Sequence, residues 1–127
     1  MALAPAGKSF EAAERLEDGV RIVEVKGELD LASVKKVRDL VEPATQEGLG
    51  LVLDLSACSF IDSTGLRFVL ETHQALTSKG CNRNAMVVVA SPEVERMLTV
   101  TAIDLTVPVF ASLSEAKDQL ALGTHSV

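Results

Sequence analysis

The sequence predicts an α/β domain built on one mixed, mostly parallel sheet of about five strands with four helices, in the order β-β-α-β-α-β-α-β-α. Three observations lead there. Short runs rich in Val, Ile and Leu alternate with longer segments whose apolar residues recur every three or four positions. Turn and cap residues stand where the period changes. A hydrophobic content of 47% is ample for one core in 127 residues. Strands that alternate with helices imply crossovers, and crossovers make neighbouring strands parallel. One domain over residues 8–122 is expected, with 1–7 and 123–127 as flexible tails.

The elements follow in order. Residues 9–16 alternate in part and stop at "EDG", a turn signal, before "VRIVEVKG" resumes with β-branched residues, so a hairpin should open the domain. Its alternation breaks at Ile22-Val23, which leaves the buried face undecided. From Leu31 to Gln46 the period is helical. Val34, Val37, Leu40, Val41 and Ala44 recur on one side, and Lys35, Lys36, Arg38, Asp39 and Glu42 occupy the others. Asp30 is placed as the N-cap of that helix and Gly48 as its stop. "LVLDLS", residues 51–56, reads as a strand covered on both faces. Asp54 within it either bonds nearby backbone or points into the loop ahead.

In the next helix Leu66, Val69, Leu70, His73 and Leu76 share one face, opposite Arg67, Glu71, Gln74 and Ser78, and Lys79-Gly80 should end it. "AMVVVA" is a further buried strand. "SPEVERML" opens a helix with Ser91 as cap, Pro92 at the first helical position and Glu93 and Glu95 in the first turns. "VPVFA" gives a last strand that Pro108 confines to an edge, and "SLSEAKDQLAL" a closing helix.

Composition removes several functions. The net charge is −6 and no basic cluster is interleaved with aromatics, which argues against direct nucleic-acid binding. With no Trp, no Tyr and four Phe, platforms for stacking bases or sugars are not expected. Cys58 and Cys81 are spaced neither as a metal pair nor as a disulfide framework, and Cys58 reads as a small buried hydrophobe. Nothing resembles a P-loop or a metal-ligand set, so no cofactor is expected. "MALAPAGKSF" lacks the charged start and apolar core of a signal peptide, and no apolar run approaches ~18 residues. The expectation is a cytoplasmic protein without membrane contact.

The chemistry concentrates in "SFIDSTGL", residues 59–66, where a hydroxyl stands beside a carboxylate at the start of a helix. Asp62, Ser63 and Thr64 are all capable N-caps, but a helix needs one. A nucleophilic Ser63 would need a positioned base and an oxyanion hole. The flanks are not those of a G-x-S-x-G elbow, His73 lies about 15 Å further along the helix, and His125 is in the tail. A phosphate on Ser63 would meet unpaired N–H groups and the positive end of the helix dipole, opposed by Asp62 and Asp30. Cap and modification site both fit the local physics.

Three segments, "GELDLAS" at 27–33, "LVLDLSACSFIDSTGL" at 51–66 and "SPEVERMLTVTAIDLTVPVFASLSEA" at 91–116, resemble the STAS family, and within it the bacterial anti-sigma factor antagonists. The resemblance implies the STAS fold and a non-enzymatic role. It also implies that Ser63 is phosphorylated by an anti-sigma factor serine/threonine kinase, which brings its own ATP and divalent metal, and dephosphorylated by a serine phosphatase. Asp30 should lie near that serine, and Asp30, Asp62, Ser63, Thr64, Gly65 and Arg67 should form the switch surface. Arg67, on the exposed side of the helix, is more often the position of a solvated charge than of a partner contact. Asn82 to Asn84 and "TVTAID" depart from the family's usual Gly-Gly and Thr-Gly-Leu at those places. The competing expectations are a STAS subunit of a lipid-transport or stressosome assembly without phosphate control, and a small enzyme using Ser63.

Overall fold

The computed structural model describes residues 10–47, 49–78 and 85–125, with side chains as far as residue 120. The expected stops at Gly48 and Lys79-Gly80, the segment Asn82 to Asn84, Cys81 and the tail 1–7 lie outside the described residues. The chain forms β1 (Glu11–Glu17), β2 (Val20–Leu29), α1 (Val34–Glu47), β3 (Leu51–Ile61), α2 (Ser63–Thr77), β4 (Met86–Ala90), α3 (Pro92–Val100), β5 (Val109–Phe110) and α4 (Leu113–His125). The five strands lie in sequence order across one sheet. Only the β1–β2 pair is antiparallel.

The opening hairpin closes through Asp18 and Gly19, with φ of +55° and +78°. Positive φ at both central residues is the signature of a type I′ turn, whose twist matches that of paired strands. The turn pairs Glu17 with Val20 and so sets the register of both strands.

Ile22 and Val23 are both fully buried because both faces of the sheet are covered. Val23 joins Val25, Leu53 and Leu55 in the core beneath α1, α2 and α3. Ile22 joins Val52, Val87 and Val89 against Ala116 and Leu120 of α4. The break in alternation is thus the pattern of a strand between two layers.

α1 and β3 differ from the sequence reading, and α4 runs on to His125, into the residues 123–127 read as a tail. α1 begins at Val34 rather than Leu31. Residues 31–33 form a turn in which the Asp30 carboxylate accepts the N–H groups of Ala32 and Ser33 at 3.1 and 3.2 Å. Asp30 therefore caps the turn leading into the helix, and its carbonyl accepts the Val34 N–H at 2.9 Å. β3 is the second case, running to Ile61 instead of stopping near Ser56. Its pairing with β4 ends at Leu55 and Ala90, beyond which it continues along β2 alone. Two register shifts interrupt that continuation. At the first, Asp54 accepts the N–H and the hydroxyl of Ser56 at 3.0 and 2.7 Å. The buried carboxylate thus satisfies backbone where the ladder is interrupted, and it does not enter the loop ahead.

The α2 face is wider than the predicted stripe. Leu66, Val69, His73 and Leu76 are buried as expected, but so are Phe68 and Thr72, while Leu70 is only partly covered. The cause is α1, which packs beside α2 and sets the Arg38 guanidinium 5.7 Å from the Phe68 ring centroid. At the start of α3, Ser91 accepts the Val94 N–H at 3.2 Å and donates its hydroxyl to the Cys58 carbonyl at 2.7 Å. One cap thereby anchors α3 to the extension of β3.

Phe68→Ala should destabilise the domain by about 3–5 kcal/mol, and Leu70→Ala by no more than about 2, because the cost follows the volume left empty. Urea denaturation of the two variants checks the ranking, and an equal loss would contradict it. Burial pushes the Cys58 thiol up, so it stays protonated at neutral pH. Iodoacetamide should therefore leave Cys58 unmodified in the native domain and label it after unfolding, as peptide mapping would show.

Candidate functional site

In a parallel sheet the loops that follow strands gather at the strands' carboxyl ends. Here the β2–α1 loop and the β3–α2 junction meet there through Asp62. The backbone of Asp62 is extended, with φ −101° and ψ −175°, and its side chain accepts the Gly65 N–H at 2.9 Å, which is an N-cap bond. The second carboxylate oxygen accepts the N–H of Leu31 from the other loop at 3.3 Å. Its own N–H donates to the Leu29 carbonyl at 3.2 Å. Of the three candidate caps, Asp62 takes the position.

Ser63 is the first helical residue and is exposed, while Thr64 is half-buried. Arg67 is exposed and follows Ser63 by four residues, a spacing that sets the two side chains on neighbouring parts of one helix surface. Gly65 is buried where α2 passes closest to β2. A Cβ there would stand 2.6 Å from the Leu29 carbonyl oxygen and 2.7 Å from Cγ1 of Ile61. Only glycine lets the helix start so near the strand ends.

Asp30 belongs to the loop that Asp62 holds, but its carboxylate turns inward onto Ala32, Ser33 and the Ser33 hydroxyl. The Ser33 hydroxyl in turn donates to the Glu28 carbonyl at 2.7 Å. Asp30, Asp62, Ser63, Thr64, Gly65 and Arg67 thus occupy one end of the sheet, with Asp62 bonded to both segments.

Three neighbours were missed by sequence reasoning. Leu31 is 76% exposed and Phe60 50% exposed, both within two residues of Asp62 or hydrogen-bonded to it. Phe60 stands out of phase with the buried face of β3, whereas Leu31 falls in step with the apolar side of α1 and gave no signal. The third, Lys36, lines with Phe10, Glu28, Asp30, Ala32 and Ser33 a surface depression of about 470 Å³.

His73 sits on the buried face of α2, ten residues from Ser63. Among the described residues no group of three or more His, Cys, Asp or Glu is arranged to hold a metal ion. No helix among them is long and apolar enough to cross a membrane.

Residues 12–116 match the family model described as the STAS domain. The chain is 32% identical over 82 residues to an anti-sigma-B factor antagonist of Staphylococcus epidermidis, covering 64% of this chain and 74% of that protein. An anti-sigma factor antagonist from Mycobacterium paratuberculosis has a similar structure, with a TM-score of 0.77 and 26% identity over 90% of this chain and 96% of its own. The anti-sigma factor antagonist SpoIIAA shares the fold at 19% identity. Its unphosphorylated form gives a TM-score of 0.66 over 89% of this chain and 98% of its own. The phosphorylated form of the Bacillus protein gives 0.63 at 20% identity over 88% and 99%.

Replacing the cap should be felt in stability: Asp62→Ala should cost about 0.5–2 kcal/mol. Gly65→Ala should cost about 1–3 kcal/mol, because carbonyl and methylene must give way. Ser63→Ala, which removes an exposed hydroxyl from a helix capped by its neighbour, should stay within about 0.5 kcal/mol of wild type. Thermal melts of the three proteins would overturn the assignment of the cap if Ser63→Ala lost more than Asp62→Ala.

Proposed function

This chain belongs to the STAS domain family, and we propose that it acts there as an anti-sigma factor antagonist whose binding is switched at Ser63. Unphosphorylated, it binds an anti-sigma factor that is also a serine/threonine kinase, and so frees a sigma factor for transcription. The kinase phosphorylates Ser63 and is released, and a serine phosphatase resets the switch. The site requires no cofactor of its own, and the setting is the cytoplasm.

The observation that carries this reading is the division of labour at the start of α2. Asp62 caps the helix, which leaves the exposed Ser63 hydroxyl without a structural duty. The names of the relatives support the same role, and SpoIIAA, which shares the fold, is itself known in phosphorylated and unphosphorylated forms. A phosphate at this position adds about −1.5 to −2 charges at a helix N-terminus, where an anion is favoured. The fold therefore tolerates it. A partner surface shaped around an uncharged hydroxyl faces a dianion beside the Asp62 carboxylate instead, and like charges brought together at an interface can cost several kcal/mol. At ~1.4 kcal/mol per tenfold, about 3 kcal/mol weakens binding more than a hundredfold.

Ser63→Ala should bind the anti-sigma factor and resist phosphorylation, and Ser63→Asp should bind poorly while melting near the wild-type temperature. Isothermal titration with the purified kinase and a thermal melt check both. Equal binding by wild type and Ser63→Asp would rule out a charge switch at this residue.

A further inference from the structure

Ser63 and Arg67 begin an exposed stripe along α2 that continues with Glu71 and Gln74. Residues four apart in a helix are neighbours, with Cβ atoms about 5–6 Å from each other. The Cα–Cβ bonds of a helix lean toward its amino end, so the Arg67 side chain extends over the turn that carries Ser63. Arg67 is the one Lys or Arg of α2, and among the described residues it makes no hydrogen bond or ion pair. Glu71 lies at the same spacing on its other side, but cation before anion is the weaker order for a helical pair. An anion at position 63 stands in the stronger order. The carboxylates beside Ser63 are already engaged: Asp62 holds the N–H groups of Gly65 and Leu31, and Asp30 those of Ala32 and Ser33.

We infer that Arg67 is the internal counter-ion of Ser63 once that residue is phosphorylated, its guanidinium turning onto the phosphate to form a charge-assisted pair within α2. The inference rests on the function proposed above, because it describes how the phosphate of that switch is held. Arg67 is a positioning residue and takes no part in phosphoryl transfer. The Ser63 hydroxyl is a neutral acceptor and leaves the guanidinium in solvent. A phosphate instead offers three oxygens and about two negative charges to a planar fork of donors. Phosphorylation thereby changes the surface at two positions, adding an anion at Ser63 and withdrawing a free cation at Arg67.

The test uses the full chain with phosphoserine incorporated at position 63 during synthesis, so that no kinase is needed, and follows the phosphate by phosphorus NMR through a pH titration. The second ionisation of a phosphoserine lies at about pH 6. A guanidinium on the phosphate favours the dianion and lowers that midpoint, so removing the guanidinium raises it. The other charges around the site are Asp62, Glu71 along the helix, Asp30 on the adjoining loop, Glu28 and Lys36, which line a depression with Asp30, and Arg38, which lies over the Phe68 ring. All of them stay in place in Arg67→Gln, so their fields cancel in the comparison. The midpoint should rise by about 0.2–0.7 of a pH unit in Arg67→Gln, the size expected of an exposed ion pair. Arg67→Lys should fall between the two, because an ammonium keeps the charge and loses the fork. Lys36→Gln should stay near the wild-type midpoint, and without the phosphate the four proteins should melt alike. An Arg67→Gln midpoint equal to that of wild type would overturn the inference and leave the functional proposal standing. An equal rise in Lys36→Gln would do the same, since it would show a diffuse field in place of a pair. If none of the anti-sigma factor kinases encoded in the same genome phosphorylated Ser63 of the wild type, both would fall.

Discussion

The carboxylate of Asp62 accepts one N–H from the helix it starts and one from a loop thirty residues earlier in the chain. Each bond is of ordinary strength, but together they decide what the neighbouring residues are free to do. With Gly65 N–H satisfied, α2 can begin at Ser63 without help from a hydroxyl. With Leu31 N–H held, the loop after β2 keeps its place beside that helix. A cap built on Ser63 would have tied the folding of α2 to the state of its hydroxyl. A cap built on Asp62 separates the two, and a modification can change what the surface binds while the helix beneath it stays formed.

That arrangement depends on where β3 ends. Beyond Leu55 it leaves β4 and follows β2 alone to Ile61, which carries Asp62 out to the level of the β2–α1 loop. A strand emerging so far has backbone to satisfy where its ladder is interrupted. Asp54 meets part of that need from within the strand, and Ser91 ties the start of α3 to the Cys58 carbonyl. The residual constraint is space: at Gly65 the helix lies so close to Leu29 and Ile61 that a single methyl group would collide with both. Asp62 can bridge only because its helix starts this near β2, and the nearness admits only glycine.

Much of this was legible in the residues. The element order, the DG turn, the Ser91 cap and the buried β4 follow from period and punctuation, because those signals are local. The limits of β3 were not legible. Residues 56–60 read as Ser, Ala, Cys, Ser and Phe, which show no strand alternation, since their pairing is broken by register shifts that only the β2 partner defines. The start of α1 was read three residues early, because Asp30 caps a turn with the same chemistry that caps a helix. Phe68 was assigned no role because its burial comes from α1, a neighbour that the periodicity of α2 alone cannot reveal. At the site, the sequence offered three hydroxyl or carboxylate side chains for one cap, and their order along the chain did not choose among them. Choosing required the extended backbone of Asp62 and its bond to the Gly65 N–H, neither of which the order of the residues fixes.

The central claim is that the hydroxyl left free by the Asp62 cap is the regulated one. The most direct measurement is mass-spectrometric location of the phosphate after the domain is incubated with the proposed anti-sigma factor kinase and ATP. The account predicts a single phosphate on Ser63. Phosphate on Thr64, or none on either residue, would contradict it.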